Sequence, residues 1–195
     1  MNNTKELWYQ PNVQSQNGDT IWTKLGLWSW AFVNETLFKW SPVPCYAFRA
    51  SLLKLWGAKI GKKCYINNTV KILFPWRLHL EEHISIDRFV IIHNTSHVYI
   101  DSHVGISTSV QMILGGHDIR SRGFEFQDKP LHIGVGAFIG GGSLLRGVNI
   151  GQFACIGAGS MVIKDVPENT IAFGWPAEIK GDRLPEEEYN KYRYK

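Results

Sequence analysis

The stretch IGVGAFIGGGSLLRGVNIGQFACIGAGSMV, residues 133–162, decides the fold. An apolar residue recurs at almost every sixth position: Ile133, Ile139, Leu145, Ile150, Ile156 and Val162. Glycine directly follows four of them, at Gly134, Gly140, Gly151 and Gly157. A helix repeats its apolar face about every 3.6 residues and a strand every two, so a period of six belongs to neither. It belongs to a parallel β-helix, in which short strands end in tight corners and the chain coils around stacked apolar residues. From Ile139 to Ile150 the spacing is one residue short of two repeats, which implies one tightened corner.

Working upstream, residues 57–116 keep a looser version of the repeat. Ile60, Ile66, Ile72 and Leu78 share one frame; Leu80, Ile86, Ile92 and Val98 share a second; Ile100, Ile106 and Met112 share a third. The two-residue slips between frames are expected at corners or bulges that leave the stacked core intact. At about residues 116–131 the frame disappears into a polar excursion. A prism interior cannot accommodate it, so it is expected to be extruded as a loop, and such loops on rigid scaffolds are often functional. The β-helix is thus expected over 57–166, followed by a charged tail over 167–195.

Residues 1–56 lack the repeat and carry Trp8, Trp22, Trp28, Trp30, Trp40 and Trp56. Ile21, Leu25, Trp28 and Phe32, and more loosely Leu37 and Trp40, follow helical spacing. Pro42 and Pro44 end that helix, and Phe48, Leu52, Leu55 and Trp56 suggest a second. The first expectation is a helical cap over the open end of the β-helix. The second is a membrane-facing surface, with tryptophan at headgroup level and Lys24, Lys39 and Arg49 on lipid phosphates. Weak membrane association at most is expected, because the aromatics serve the core first.

The 195 residues, 44% hydrophobic and 19% charged, suit one globular domain rather than a disordered chain. A net charge of +4 without a basic stripe does not suggest nucleic acid. Cys45, Cys64 and Cys155 are dispersed without CxxC spacing, which suits a reducing cytoplasm rather than a disulfide framework or zinc site. Residues 1–17 are polar, so no signal peptide is expected, and no apolar run approaches the roughly 20 residues of a membrane span.

Several motifs make the chain similar to a known family. SPVPCYAFRASLLKLWGAKIGK (41–62), FPW (74–76), HN (93–94), GGHD (115–118), KPLHIG (129–134), FIGGGS (138–143) and IGAGSMVIKDVP (156–167) cover nearly its whole length. Together they resemble the hexapeptide-repeat O-acetyltransferases, most closely the colanic acid biosynthesis type. The resemblance implies a left-handed parallel β-helix, an exception to the right-handed crossover preference. It also implies a homotrimer with acetyl-CoA bound between adjacent prisms.

Acyl transfer from a thioester to a sugar hydroxyl needs a base, and histidine titrates in the right range. His117, where the coil opens into the loop, matches the family's catalytic histidine. Asp118 and Glu125 are candidates to orient its ring or meet the acceptor. Asn94 matches an acceptor-binding asparagine and is able both to donate and to accept. The developing oxyanion needs fixed donors, for which the Gly140-Gly141-Gly142 amides and the Ser143 hydroxyl are candidates. By resemblance, Gly141, Ala158 and Lys164 line the coenzyme, with Lys164 on phosphate. The family's GNPA becomes Gly174-Trp175-Pro176-Ala177, and Glu178 stands where some relatives have arginine. Lys180 or Arg183 is the candidate replacement.

The leading expectation is a cytoplasmic, acetyl-CoA-dependent O-acetyltransferase. It would acetylate a sugar hydroxyl of a surface polysaccharide or its lipid-linked precursor by direct transfer in a ternary complex. An N-acetyltransferase acting on an amino sugar nucleotide is the runner-up. A noncatalytic β-helix scaffold would need neither His117 nor the coenzyme segment. A γ-class carbonic anhydrase would use zinc held among His79, His83, His93, His97, His103 and His132; no metal is expected, because the loop and KPLHIG match the acetyltransferases. Cys155, inside the tight repeat, reads as packing rather than as an acyl carrier.

Overall fold

The computed structural model describes residues 20–192. Helix α1 (Ile21–Val33) runs into a π-helical turn (Asn34–Phe38), and α2 (Tyr46–Leu55) follows. The first coil contains β1 (Lys59–Ile60), β2 (Tyr65–Ile66) and β3 (Lys71–Ile72); the second, β4 (Leu78–Leu80), β5 (Ser85–Ile86) and β6 (Ile91–His93); the third, β7 (Val98–Ile100), β8 (Gly105–Ile106) and β9 (Gln111–Ile113). An antiparallel hairpin, β10 (Gly115–His117) and β11 (Phe126–Asp128), then projects from the prism. Coiling resumes with β12 (Leu131–Ile133), β13 (Phe138–Ile139) and β14 (Leu144–Leu145), then β15 (Asn149–Ile150), β16 (Cys155–Ile156) and β17 (Met161–Val162). A closing hairpin, β18 (Thr170–Gly174) and β19 (Ala177–Asp182), precedes α3 (Glu186–Tyr192).

These strands form three parallel faces. The first stacks β1, β4, β7, β12 and β15; the second stacks β2, β5, β8, β13, β16 and β18, with β19 antiparallel at its end; the third stacks β3, β6, β9, β14 and β17. Each coil sends at least one apolar residue inward from each face. On the second face Ile66, Ile86, Ile106, Ile139, Ile156 and Ala172 form a buried column. Fully burying each isoleucine contributes roughly 1.5–3 kcal/mol before chain entropy is counted, which is why the six-residue frame survives.

The two-residue slips have a different cause from the corners or bulges expected. On the first face the strands of coils two to four are three residues long, with both ends inward: Leu78 and Leu80, Val98 and Ile100, Leu131 and Ile133. Period-two alternation lets one face hold two core residues, so each slip is an extended strand. The tightened corner lies at Gly147, where a Cβ would strike the backbone of Lys129 at the exit of the projecting hairpin. The corners themselves stack in the left-handed region: Lys63, His83, His103, Gly136, Phe153 and Asn169 occupy one edge with positive φ.

Helices α1 and α2 cover the first coil, but with other residues than the periodicity suggested. Trp30, Val33, Phe38 and Leu53 are buried, and the Trp30 indole donates 2.7 Å to the Ile72 carbonyl. Ile21, Leu25, Trp28 and Phe32 face outward. Arg49, expected on lipid, is wholly buried. Its Nε donates to Ile66 O, its Nη1 to Ser41 Oγ and Pro42 O, and its Nη2 to Val43 O, at 2.5–2.8 Å. Burial lowers its pKa, and no carboxylate compensates in that set of contacts. Arg49 therefore clips the cap to the coil.

Candidate active site

His117 ends the outgoing strand of the projecting hairpin, opposite Phe126 in register. Its ring stacks on Phe124 at 4.5 Å between centroids and meets the edge of Phe126 at 5.7 Å. Nδ1 lies 2.8 Å from the Phe124 carbonyl oxygen. A carbonyl only accepts, so Nδ1 carries the proton and the neutral imidazole presents the Nε2 lone pair. The side chain is exposed, so that lone pair is accessible. The group that orients the imidazole is a backbone carbonyl.

Neither loop carboxylate does that work. Asp118 Oδ1 accepts from Arg120 N at 2.9 Å and Oδ2 from Gln127 Nε2 at 3.3 Å, so this side chain shapes the turn. Glu125 is exposed, and its carboxylate lies beside Gly123 rather than at the imidazole.

Asn94 is fully buried rather than open to an acceptor. Its Oδ1 accepts from Phe74 N at 3.0 Å and its Nδ2 donates to Phe74 O at 2.7 Å, tying the second coil to the first. Ser143 is also buried, its Oγ donating to Gly140 O at 2.7 Å and Gly157 O at 3.0 Å, so it braces two corners. Both side chains, expected from the sequence at the acceptor and the coenzyme, are thus buried in this chain and have their hydrogen bonds made with backbone atoms of their own or neighbouring coils.

Gly141 and Ala158 sit at neighbouring corners between the second and third faces. Gly159 N donates to Gly141 O at 2.9 Å, and Gly142 and Gly159, both at positive φ, have nothing within 4 Å of a Cβ position. At these two corners the edge is bare backbone, open to close approach by a thin chain. Lys164 is exposed just after β17. Lys180 Nζ is 2.8 Å from Glu178 Oε2 and lies over the Phe173 ring, while Arg183 Nη1 donates to Gly136 O and Phe153 O. Arg183 thus holds the closing hairpin through Nη1.

His117 leaves the prism at the edge between the third and first faces, because β9 precedes the hairpin and β12 follows it. Gly141 and Ala158 occupy a different edge. Within one chain His117 and the expected coenzyme corners are therefore separated by the width of a face.

The sequence reading missed Arg146. Its guanidinium packs against Gly116, where a Cβ would strike it. With Lys129, Gln127, Leu144 and Met161 it lines a cleft of about 350 Å³ beside the hairpin root. The only signal for it was the shortened repeat that contains it.

Four of the remaining histidines pair among themselves. His79 Nε2 lies 3.0 Å from His97 Nδ1, and burial followed by the neighbouring His97 lowers the His79 pKa. His83 stacks on His103 at their corner positions, and His132 pairs with Asp101 at 3.0 Å. Among the described residues no three histidine, cysteine or acidic side chains converge as a metal site.

The chain matches no family model. It is 36% identical over 165 residues to a protein of Escherichia coli (strain K12) named as a colanic acid biosynthesis acetyltransferase, WcaF, covering 84% of this chain and 90% of that one. It is 31% identical over 135 residues to the galactoside O-acetyltransferase of Lactococcus lactis subsp. lactis (strain IL1403), covering 66% and 65% of the two. A hexapeptide-repeat acetyltransferase from Vibrio cholerae, solved with acetyl coenzyme A, superposes with a TM-score of 0.77 at 24% identity, over 87% of this chain and 93% of that one.

Proposed function

The chain belongs to the hexapeptide-repeat acetyltransferases, the family of the colanic acid biosynthesis protein, and we propose that it transfers acetyl from acetyl-CoA to a sugar hydroxyl of a surface polysaccharide or its precursor. The observation that carries this reading is the His117–Phe124 hydrogen bond, which leaves Nε2 as an accessible base. In the proposed reaction Nε2 takes the hydroxyl proton as the sugar oxygen attacks the thioester carbonyl. The C–O bond forms, the C–S bond breaks, and the proton passes to the departing thiolate, in one ternary complex. The open corners at Gly141 and Ala158 fit the pantetheine arm, and exposed Lys164 suits phosphate.

The assembly is a homotrimer in this reading. A threefold rotation brings the His117 edge of one prism to the Gly141–Ala158 edge of the next, completing a site that a single chain leaves divided. A cytoplasmic location fits, since Cys45, Cys64 and Cys155 are all unpaired thiols.

The test is an acceptor screen with isotope-labelled acetyl-CoA and sugar nucleotides, oligosaccharides and lipid-linked sugars, read by mass spectrometry. The reading expects the label on a hydroxyl oxygen. Label confined to the nitrogen of amino sugars would favour the N-acetyltransferase instead, and no transfer to any sugar would contradict both.

A further inference from the structure

Helix α1 is apolar on both sides. Between Ile21 and Val33 only Thr23, Lys24 and Ser29 carry polar side chains. Trp30 and Val33 serve the cap, while Ile21, Leu25, Trp28 and Phe32 form a continuous outward stripe at helical spacing. Trp22, Trp28 and Trp40 are exposed to 77%, 76% and 80%, far beyond what scattered surface aromatics would show. We infer that this face is a membrane-docking surface, which seats the protein on anionic phospholipid with the three indoles at headgroup level.

Three observations select lipid as the occupant. First, the indole N–H of Trp30 is bonded to Ile72 O and that of Trp56 to Ser29 Oγ, whereas those of Trp22, Trp28 and Trp40 have no partner among the described residues. An apolar ring with a free donor at its tip suits the boundary between acyl chains and headgroups. Second, the charge is one-sided. With Arg49 buried, residues 20–56 expose Lys24, Lys39 and Lys54 against Glu35 alone, and Glu35 is already held by Lys71 at 2.9 Å and Lys39 at 3.2 Å. Those two lysines, Lys71 first, lower the Glu35 pKa and keep it ionised. Third, a 13-residue helix is about 20 Å long, short of the roughly 30 Å hydrocarbon core. Among the described residues no helix is long and apolar enough to cross a membrane. Such a helix lies on a bilayer rather than through it.

The position of the platform matters for the substrate. It caps the first coil, and a cavity of about 270 Å³ behind it is lined by Leu27 and Ala31 of α1 and by Ile91, Ile92 and His93 of β6. His93 pairs in register with Ile113, which ends the strand leading into the His117 hairpin. Resting on the acetyltransferase reading, the docked enzyme would meet its sugar on a lipid carrier. A threefold rotation about an axis parallel to the prisms leaves all three caps at the same end of the assembly, so a trimer whose stripes face that end would engage the surface three times.

Vesicle flotation with purified full-length protein tests docking without reference to turnover. Wild type should float with equimolar phosphatidylglycerol–phosphatidylcholine vesicles. Binding should weaken as salt rises from about 0.1 to about 1 M, where screening shortens from about 10 to about 3 Å. The triple variant Trp22→Ser, Trp28→Ser, Trp40→Ser should lose at least about tenfold in vesicle affinity while retaining coenzyme binding. Lys24→Glu with Lys54→Glu, a milder surface change, should lose binding to anionic vesicles specifically. Wild type that stays off vesicles would overturn the inference, as would a folded triple variant that floats equally well. So would a triple variant that merely falls to a smaller oligomer without lipid, since the face would then be covered by a second copy of the chain. Failure of flotation with acetyl transfer intact would leave the catalytic reading standing.

Discussion

The imidazole of His117 is held between the carbonyl of Phe124, 2.8 Å from Nδ1, and the ring of the same residue, stacked at 4.5 Å and 9°. One residue thus fixes both the tautomer and the plane of the ring. Phe124 itself adopts a positive φ of 48°, a conformation that bulky residues rarely take, so the turn is shaped to present its carbonyl inward. The neutral ring should therefore be the Nδ1–H tautomer, with Nε2 unprotonated. Long-range nitrogen–proton NMR on ¹⁵N-histidine-labelled protein, with His117→Asn to assign the signal, checks this; an Nε2–H tautomer would remove the proposed base.

Asn94→Ala should lower stability by about 1–3 kcal/mol, because it orphans the buried N–H and carbonyl of Phe74. The KM for an acceptor should stay within about twofold once the protein is folded. Urea unfolding and steady-state kinetics separate the outcomes: an unchanged midpoint with a raised KM would return Asn94 to the acceptor.

Arg49→Met should destabilise the cap by roughly 2–4 kcal/mol, since Ile66, Pro42 and Val43 lose the donor to their carbonyls. Arg49→Lys should recover little, because one ammonium cannot reproduce the planar fork. Thermal unfolding of both variants measures this; a midpoint equal to wild type would show that the buried guanidinium is not the clip described.

Much of the fold was legible because its core is periodic: residues 133–162 state the coil directly, and the polar break at residues 116–131 states that something is extruded. The cap was harder. Both faces of α1 are apolar, so periodicity located the helix but did not say which side enters the core, and Ile21 and Trp28 stay outside it. The place of His117 at the coil opening was legible, whereas the group that orients its ring was not, since a backbone carbonyl has no letter of its own. The hydrogen bonds of Asn94 were hidden for a similar reason. Its partners are main-chain atoms one coil below, 20 residues away in sequence.

If the site is built between chains, His117→Ala and Ala158→Trp should complement each other. Each is expected to be inactive alone. In a mixed trimer one interface pairs an intact His117 with an intact Ala158, so about a third of wild-type activity should return. Co-expression with two affinity tags, purification of the mixed species and light scattering against the 22.2 kDa chain mass provide the measurement. A mixed assembly that remains inactive would place both residues in one chain's site or none.

The base assignment meets its most direct test in single-turnover transfer from labelled acetyl-CoA to an acceptor identified by the screen, comparing wild type with His117→Ala. The variant should bind coenzyme with wild-type affinity, unfold at the wild-type temperature and transfer acetyl about 100-fold or more slowly. Transfer at a near-normal rate would contradict the account, because the hydroxyl would then be activated by some group other than His117.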